Sequence, residues 1–248
     1  MSDPGVFLVT GGSRGIGAAT AVLAARKGYA VAIFFRERED AADKVVAEIT
    51  AAGGRALALR ADVADEASLM RGFEAVDSFG KLSVLVNNAG ISGGVSRVED
   101  LSAATIEAVC RTNIVGAFLA AREAVRRMST RRGGSGGSII NVSSGASVLG
   151  TPNTWIHYAA TKGAMDTMTI GLSKEVAAEG IRVNAVRPGI ITTEIHAARA
   201  PGQLEQLQKA IPMGRFGTPD EVADVILWLA SSASTYVTGA LLDARGGL

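Results

Sequence analysis

A tyrosine and a lysine stand four residues apart in the segment YAATK, at Tyr158 and Lys162. If the segment is helical, the two side chains lie on one face, with their Cβ atoms about 5–6 Å apart. A free phenol has a pKa near ~10, and an ammonium close to it in a dry cleft favours the phenolate. Such a pair is suited to moving a proton. The spacing alone is also compatible with two ordinary surface residues, so the rest of the chain has to decide.

A glycine cluster, TGGSRGIG, runs from Thr10 to Gly17. It follows an apolar strand-like run and opens an Ala-rich helical pattern. Glycines at 11, 15 and 17 leave room for a tight turn and for close approach of the backbone to a pyrophosphate. The helix N-terminus then offers free N–H groups to phosphate. The spacing is neither GxGxxG nor a Walker A loop, and a glycine-rich turn without a ligand is the alternative interpretation.

The histidines and the single cysteine give little evidence of a functional site. His157 and His196 stand far apart, without cysteine or carboxylate spacing typical of a metal centre, so we expect no metal site. Cys110 is the single cysteine and has no internal disulfide partner. Its neighbours, IEAVCRTNI, resemble a helix interior, which favours a small buried hydrophobic residue over a nucleophile.

The elements that would position these residues alternate along the whole chain. Most of the candidate strands are continuously apolar runs, as expected for strands covered on both faces. The candidates are 6–10, 30–35, 55–60, 82–88, 138–144, 181–186 and 239–244. Helical patterns lie between them, and one begins with Thr218 as N-cap before Pro219. This alternation predicts an α/β fold, a doubly wound seven-stranded parallel sheet with ligands at the carboxyl ends of the strands.

Size and composition fit one globular domain, 1–248, since 48% of residues are hydrophobic and 20% are charged. The long stretch 189–217 has weak patterning and is predicted to be a substrate loop or lid. A net charge of +1 gives no indication of a nucleic-acid or membrane-surface partner. We expect no secretory signal and no apolar stretch approaching the ~20 residues that span a bilayer, and therefore a cytoplasmic protein.

Six motifs occur in one order: TGGSRGIG, NNAG at 87–90, an asparagine in the following helix, NVSS closing a strand, YAATK, and RPG at 187–189. Together they resemble the short-chain dehydrogenase/reductase family over essentially the whole chain. The similarity extends to members that act as glucose dehydrogenases or 3-oxoacyl reductases. It implies a Rossmann fold and an NAD(P)-dependent enzyme, and it favours the functional interpretation of the tyrosine–lysine pair.

The resemblance implies four catalytic residues. Tyr158 would be the general acid/base, and Lys162 would lower its pKa and hydrogen-bond the nicotinamide ribose. Ser144 would bind the substrate oxygen, with Ser143 supporting the strand end, although the gap from Ser144 to Tyr158 is one residue longer than in many members. Asn113 would hold a water that connects Lys162 to solvent.

The same resemblance implies a cofactor site built from several segments. Besides Tyr158 and Lys162 it comprises Gly11, Ser13, Arg14, Gly15, Ile16, Gly17, Arg36, Asp62, Val63, Asn88, Ala89, Gly90, Pro188, Gly189, Ile191 and Thr193. Asp62 and Val63 would meet the adenine, and the segment after Arg187 would hold the nicotinamide amide and the diphosphate.

Charge predicts which dinucleotide is preferred. An NAD-specific protein typically has an acid at the end of the second strand, for the ribose 2′-OH. Here that strand is followed by Arg36, and Arg14 stands in the glycine cluster. Two guanidiniums suit a 2′-phosphate. The sequence thus predicts that NADP(H) is preferred, with NAD(H) possible because Glu37 and Glu39 are near.

Three functions remain open at this point. The first is an NADP(H)-dependent oxidoreductase that interconverts a small-molecule alcohol and carbonyl, with Tyr158 as general acid/base. The second is a 3-oxoacyl-[acyl-carrier-protein] reductase, for which Arg126, Arg127, Arg131 and Arg132 would offer a basic rim, opposed by Glu179. The third is a non-catalytic dinucleotide-binding sensor, which would be free to lose Tyr158 or Lys162.

Assembly is predicted from the segment AATKGAMDTMTIGLSKEVA, which carries small and apolar residues on more than one face. Burial against the protein's own sheet would explain part of this pattern. The family resemblance favours burial between subunits, and we expect a homotetramer or homodimer.

Overall fold

The computed structural model describes residues 4–192 and 201–248. Within them seven strands form one sheet: β1 (Val6–Thr10), β2 (Ala30–Phe35), β3 (Ala56–Arg60), β4 (Leu82–Asn87), β5 (Gly137–Val142), β6 (Ile181–Pro188) and β7 (Leu241–Ala244). Every neighbouring pair is parallel, in the order β3-β2-β1-β4-β5-β6-β7. The strand order reverses between β1 and β4, which is where a doubly wound sheet opens a crevice for ligands.

Helices connect the strands and cover both faces of the sheet. Within the described ranges they are α1 (Gly15–Arg26), α2 (Glu39–Ala51), α3 (Glu66–Phe79), α4 (Ala103–Cys110), α5 (Ala117–Met128), the short α6 (Ala146–Leu149), α7 (Ile156–Val176), α8 (Pro201–Ala210) and α9 (Pro219–Ala230). A π-helical turn, Arg111–Gly116, joins α4 to α5.

Two apolar clusters hold the layers together, because successive side chains of a strand point to opposite faces. In β1, Phe7 and Val9 face α1, α2 and α9, whereas Val6 and Leu8 face α3, α5 and the end of α7. All four side chains are at most 1% exposed. The fold class expected from the continuously apolar runs is therefore confirmed.

Local signals in the sequence agree with the observed boundaries. Each predicted strand overlaps an observed one to within two residues at either end. The predicted start of α9 is confirmed in detail: Thr218 accepts a hydrogen bond from the Glu221 N–H, and the Glu221 carboxylate accepts one from the Thr218 N–H. This reciprocal capping box satisfies two N–H groups that a helix start leaves without partners.

The predicted lid, 189–217, is described at residues 189–192 and 201–217, and its second part contains α8. Backbone hydrogen bonds tie its two ends together, from the Gly217 N–H to the Ile190 carbonyl and from the Thr192 N–H to the Gly217 carbonyl. The stretch thus begins and ends beside the carboxyl end of β6.

One helical segment bears on the expectation that no apolar stretch is long enough to span a bilayer. The continuous run Ala103–Met128 is long and apolar enough, by length and composition alone, to cross a membrane. Core helices pass the same test. In this chain Ala120, Ala124 and Met128 of the run pack into the cluster beneath the sheet and are fully buried.

Candidate active site

Tyr158 and Lys162 lie one turn apart near the start of α7 and face the same side, as their spacing predicted. The Lys162 Nζ is 5.5 Å from the centroid of the Tyr158 ring. Lys162 is only 3% exposed and Tyr158 is half-buried. Burial raises the pKa of the Tyr158 phenol, and a hydrogen bond with Ser144 partly offsets the rise. This direction is opposite to the lowering expected from the sequence, because desolvation dominates.

The two serines that follow β5 point in different directions. Ser144 is hydrogen-bonded to Tyr158, and its Oγ also accepts from the Ala146 N–H at 3.1 Å. Ser143 is 2% exposed, and its Oγ donates to the Lys162 carbonyl at 3.2 Å. The first contact orients Ser144 toward the phenol, whereas the second ties the strand end to the α7 backbone.

Lys162 is held by uncharged atoms. Its Nζ donates to the Val142 carbonyl at 2.7 Å and lies 3.4 Å from the Met165 Sδ. Burial lowers the pKa of the Lys162 ammonium to about 8, and the negative charge of Asp166 opposes the drop. The group therefore remains mostly protonated at neutral pH.

Asn113 lies in the π-helical turn, a kind of irregularity that is frequent at functional sites. It is fully buried, and its side chain grips the backbone of Ile91: Oδ1 accepts from the Ile91 N–H and Nδ2 donates to the Ile91 carbonyl, both at 2.9 Å. Nδ2 also donates to the Thr161 Oγ1 at 3.0 Å. Asn113 thus links the loop after β4 to the helix that carries Lys162.

Asn113 and Lys162 both lie next to Gly90. A Cβ at Gly90 would stand 3.3 Å from the Asn113 Oδ1 and 3.6 Å from the Lys162 Nζ. Both polar groups therefore lie directly behind the exposed backbone of this glycine.

The glycine-rich turn has the form of a phosphate cradle. Gly11 and Gly15 have φ of +64° and +54°, in the left-handed region that favours glycine. A Cβ at Gly17 would come within 2.4 Å of the Gly11 carbonyl oxygen. Arg14 occupies the N-cap of α1 and makes no side-chain hydrogen bond to the helix start. The first N–H groups of α1 thus have no side-chain cap, as a site for anions requires.

Asn88 connects this turn to β4. Its Nδ2 donates to the carbonyls of Thr10 and Gly11, at 3.0 and 2.9 Å. The Thr10 Oγ1 in turn accepts from the N–H groups of Asn88 and Ala89, both at 3.0 Å. These bonds fix the switch point between β1 and β4.

The remaining predicted cofactor residues line the same edge of the sheet. Asp62 follows β3 and accepts from the Ala64 N–H at 2.9 Å, while Val63 is 6% exposed and packs against Gly116. Ile191 is 5% exposed and its side chain joins the core, so its backbone is the part available to a ligand. The other members of this set are placed as follows: Ser13 and Ile16 are half-buried in the glycine turn, Pro188 ends β6, Gly189 follows it, and Thr193 lies outside the described residues.

The two arginines predicted to bind the 2′-phosphate of the ribose differ in their surroundings. Arg36 follows β2, and its Nη2 is 2.6 Å from the Glu37 Oε1, with both side chains at least half exposed. Arg14 is exposed at the start of α1. Glu37, one of the two acids that led us to expect some use of NAD(H), is thus in direct contact with Arg36.

Sequence reasoning missed several residues that hold the site. Asn87 donates to the Asn141 Oδ1 at 3.0 Å, and Asn141 donates to the Thr169 Oγ1 at 2.8 Å, all buried between β4, β5 and α7. A polar residue inside an apolar strand pattern was the available signal. His157 is 8% exposed, and a Cβ on Gly93 would stand 2.9 Å from its Nε2.

A phenol next to a serine hydroxyl and a buried ammonium can exchange a proton with a carbonyl oxygen, and the adjoining turn suits the phosphates of a dinucleotide. Fold and site define an NAD(P)-dependent oxidoreductase acting on CH–OH groups. The family model described as enoyl-(acyl carrier protein) reductase matches residues 11–248. The uncharacterized oxidoreductase YgfF of Escherichia coli strain K12 is 52% identical over 244 residues, covering 98% of this chain and 99% of that protein. The chain belongs to the short-chain dehydrogenase/reductase family.

Solved structures agree with this assignment. A short-chain dehydrogenase/reductase from Serratia marcescens superposes with a TM-score of 0.91 at 35% identity, over 98% of this chain and 96% of that one. A 3-oxoacyl-[acyl-carrier protein] reductase from Brucella melitensis with bound NAD gives a TM-score of 0.88 at 35% identity, over 98% and 90% of the two chains.

Proposed function

We propose that the protein is an NADP(H)-dependent oxidoreductase that interconverts a small-molecule alcohol and a carbonyl, with Tyr158 as general acid/base. The observation that carries the proposal is the cluster at the start of α7, where Tyr158 is hydrogen-bonded to Ser144 and lies beside the Lys162 ammonium. We also expect a cytoplasmic location and a homotetramer or homodimer.

The chain's own residues account for binding and proton transfer. A nicotinamide dinucleotide, when bound, supplies or accepts the hydride. The hydroxyls of Ser144 and Tyr158 are next to each other, so a carbonyl oxygen bound beside them would accept a hydrogen bond from each and be polarised. Tyr158 donates its proton to that oxygen during reduction and takes it back during oxidation.

Lys162 and Asn113 assist Tyr158 in different ways, the first through its charge and the second by positioning the neighbouring loop. The ammonium stabilises the phenolate that is left when Tyr158 gives up its proton, which counters the effect of burial. Asn113 holds the loop at Ile91 against α7 and so keeps the space behind Gly90 defined. The predicted relay role of Asn113 remains a proposal and is supported by its closeness to Lys162 behind Gly90.

The test is turnover of NADPH with a panel of ketones and aldehydes, comparing wild type with Tyr158→Phe. The substitution keeps the ring and removes the acidic hydroxyl, so we expect kcat to fall at least ~100-fold, the lower end for loss of a general acid. NADPH should still bind. Tyr236→Phe is the matched control, because Tyr236 is fully exposed. A Tyr158→Phe enzyme with near-normal kcat would exclude Tyr158 from the chemistry.

The cofactor preference rests on Arg14 and Arg36. A charge-assisted hydrogen bond contributes roughly 1.5–3 kcal/mol, so losing either arginine should weaken NADPH binding about ten-fold or more. Arg38→Ala is the control, since Arg38 pairs with Asp40 two residues further along. NADH binding should barely change in any of the three variants. Tighter binding of NADH than of NADPH by the wild type would overturn the preference.

Reduction of a 3-oxoacyl group on an acyl carrier is the second candidate, because the NAD-bound relative from Brucella melitensis carries that activity in its name. The basic rim that would attract an acidic carrier is largely neutralised. Arg126 and Arg127 bind Glu123, and Arg131 lies 3.3 Å from Glu179. Faster turnover of a carrier-bound 3-oxoacyl thioester than of any free ketone would favour this function.

A non-catalytic sensor is the third candidate and the same assays decide it. Such a protein would bind NADPH but turn over neither free carbonyls nor carrier-bound thioesters. The complete set of Asn113, Ser144, Tyr158 and Lys162 supports the enzyme over the sensor.

A further inference from the structure

A buried carboxylate lies one helical turn after the candidate catalytic lysine. Asp166 follows Lys162 by four residues on α7, and its side chain is 9% exposed. Its Oδ2 accepts from the Nε of Arg187 at 3.0 Å, and the Arg187 Nη2 lies 3.0 Å from the same oxygen as an ion-pair contact. Its Oδ1 is buried and has no hydrogen-bond partner among the described residues. A carboxylate buried with one oxygen unsatisfied is costly, which calls for an explanation.

Arg187 connects Asp166 to further charged residues on and just after the neighbouring strand β7. It stands opposite Asp243 in the register of β6 and β7, and its Nη1 is 3.8 Å from the Asp243 Oδ1. Asp243 also pairs with Arg245 at 2.8 Å. Alternating charges therefore run from Lys162 to the end of β7.

Stability alone does not explain the buried pair. A buried ion pair is often no more stabilising than apolar residues of the same volume, because desolvation offsets the attraction. The direct partners of the Lys162 Nζ are a carbonyl oxygen and a thioether, both uncharged. The negative charge nearest along its helix face is that of Asp166, which favours the ammonium form of Lys162.

We propose that Asp166, fixed by Arg187, is a positioning residue that keeps Lys162 charged and in place behind Tyr158. The inference rests on the proposed function, because it deepens the role of the same site. Arg187 immediately precedes Pro188 and Gly189, so the same ion pair also holds α7 against the end of β6.

Among the described residues that surround Lys162, few other charged groups could keep Lys162 protonated. On α7 the ionisable neighbours are Tyr158 and the adjacent, buried His157. The segment after β5 adds only the hydroxyls of Ser143 and Ser144, and the π-helical turn adds the neutral Asn113 and the exposed Arg111. From β6 and β7 the facing charges are Arg187 and, behind it, Asp243. The short helix α6 carries no ionisable side chain, and Glu107 of α4 is exposed.

The decisive variant is Asp166→Asn, which keeps the shape and an oxygen for Arg187 but removes the charge. The first readout is the pKa of Lys162 in the whole protein, followed by NMR of ¹³Cε-lysine and assigned by the signal missing in Lys162→Arg. We expect it to fall by about one unit, the lower end of the effect of a nearby opposite charge. In Arg187→Gln the uncompensated carboxylate should shift it upward, and Arg187→Lys should restore it toward wild type.

The second readout is the pH profile of alcohol oxidation, in which Tyr158 must be deprotonated. In Asp166→Asn the lower pKa of Lys162 leaves a smaller fraction of the lysine protonated. The phenolate of Tyr158 is then less stabilised, so the rising limb should move to higher pH. Asp77→Asn is the matched control, because it breaks an Asp–Arg pair with Arg127 far from this site. It should leave the Lys162 pKa and the profile unchanged.

The positioning role of Asp166 and the proposed oxidoreductase function can be refuted independently of each other. An unchanged Lys162 pKa in Asp166→Asn overturns the positioning role even if the enzyme reduces carbonyls well. Equal shifts in Asp166→Asn and Asp77→Asn would also overturn it. A wild type without any turnover refutes the proposed function, and the NMR titration still decides the role of Asp166.

Discussion

The steric form of the glycine-rich turn gives a sharp prediction for Gly17→Ala. The new methyl would stand 2.4 Å from the Gly11 carbonyl oxygen and 2.6 Å from the Asn88 Nδ2. The first of these is a backbone atom and cannot swing away. The start of α1 and the Gly11 turn must therefore move apart, which disturbs the atoms that would face a phosphate.

The magnitude follows from two opposing effects. Alanine is better than glycine inside a helix by about 1 kcal/mol, whereas inserting a methyl into a packed site costs about 1–3 kcal/mol. Stability should thus fall by no more than ~2 kcal/mol. If the shift breaks one charge-assisted bond to a phosphate, affinity falls by roughly 1.5–3 kcal/mol, which is at least about ten-fold in the NADPH dissociation constant.

Gly171→Ala is the matched control. Gly171 also lies within a helix, but a Cβ there meets nothing within 4 Å. This variant should be as stable as wild type or slightly more so, and it should bind NADPH normally. Isothermal titration with NADPH and urea unfolding of the three proteins give the two quantities. Wild-type affinity in a folded Gly17→Ala protein would refute the assignment of the turn as a phosphate cradle.

Three further predictions address the serines, the buried acid and assembly. Ser144→Ala should lower kcat about 100-fold, because Ser144 is the serine that is hydrogen-bonded to Tyr158. Ser143→Ala should act mainly on stability, because Ser143 bonds the Lys162 carbonyl. Equal kcat values for the two variants would contradict this prediction. Glu123→Gln should destabilise the fold by about 3 kcal/mol at pH 7 in urea unfolding, because Glu123 is 2% exposed and binds three arginines. Since those arginines keep the pKa of Glu123 below its usual value despite burial, the difference should shrink as pH falls below about 4; a constant difference would argue against the charge. Phe118→Asp should yield a smaller particle by light scattering, because Phe118 of α5 is 52% exposed and Ile170 of α7 is 40% exposed, and an oligomer would bury such apolar side chains; a monomeric wild type would remove the basis for this expectation.

The sequence predicted those parts of the molecule that depend on local pattern. All seven strands were identified from short runs, most of them continuously apolar, because a strand that is covered on both faces has apolar side chains on both of its sides. Thr218 and Glu221 marked the start of α9 by residue type and spacing alone. Tyr158 and Lys162 could be paired because helical spacing fixes which residues share a face.

What could not be predicted depends on register and burial. Asp166 and Arg187 are 21 residues apart and meet only because α7 packs on β6, and Arg187 faces Asp243 only in the register that β6 and β7 adopt. Burial also decided the sign of the Tyr158 pKa shift, since desolvation exceeds the benefit of the polar neighbours. In the proposed mechanism, the charge that favours the phenolate acts through Lys162, so the groups that keep Lys162 protonated matter for proton transfer. If Asp166 acts as proposed, proton transfer at the YAATK motif depends on Asp166 and Arg187, a pair that no local pattern in the sequence identifies.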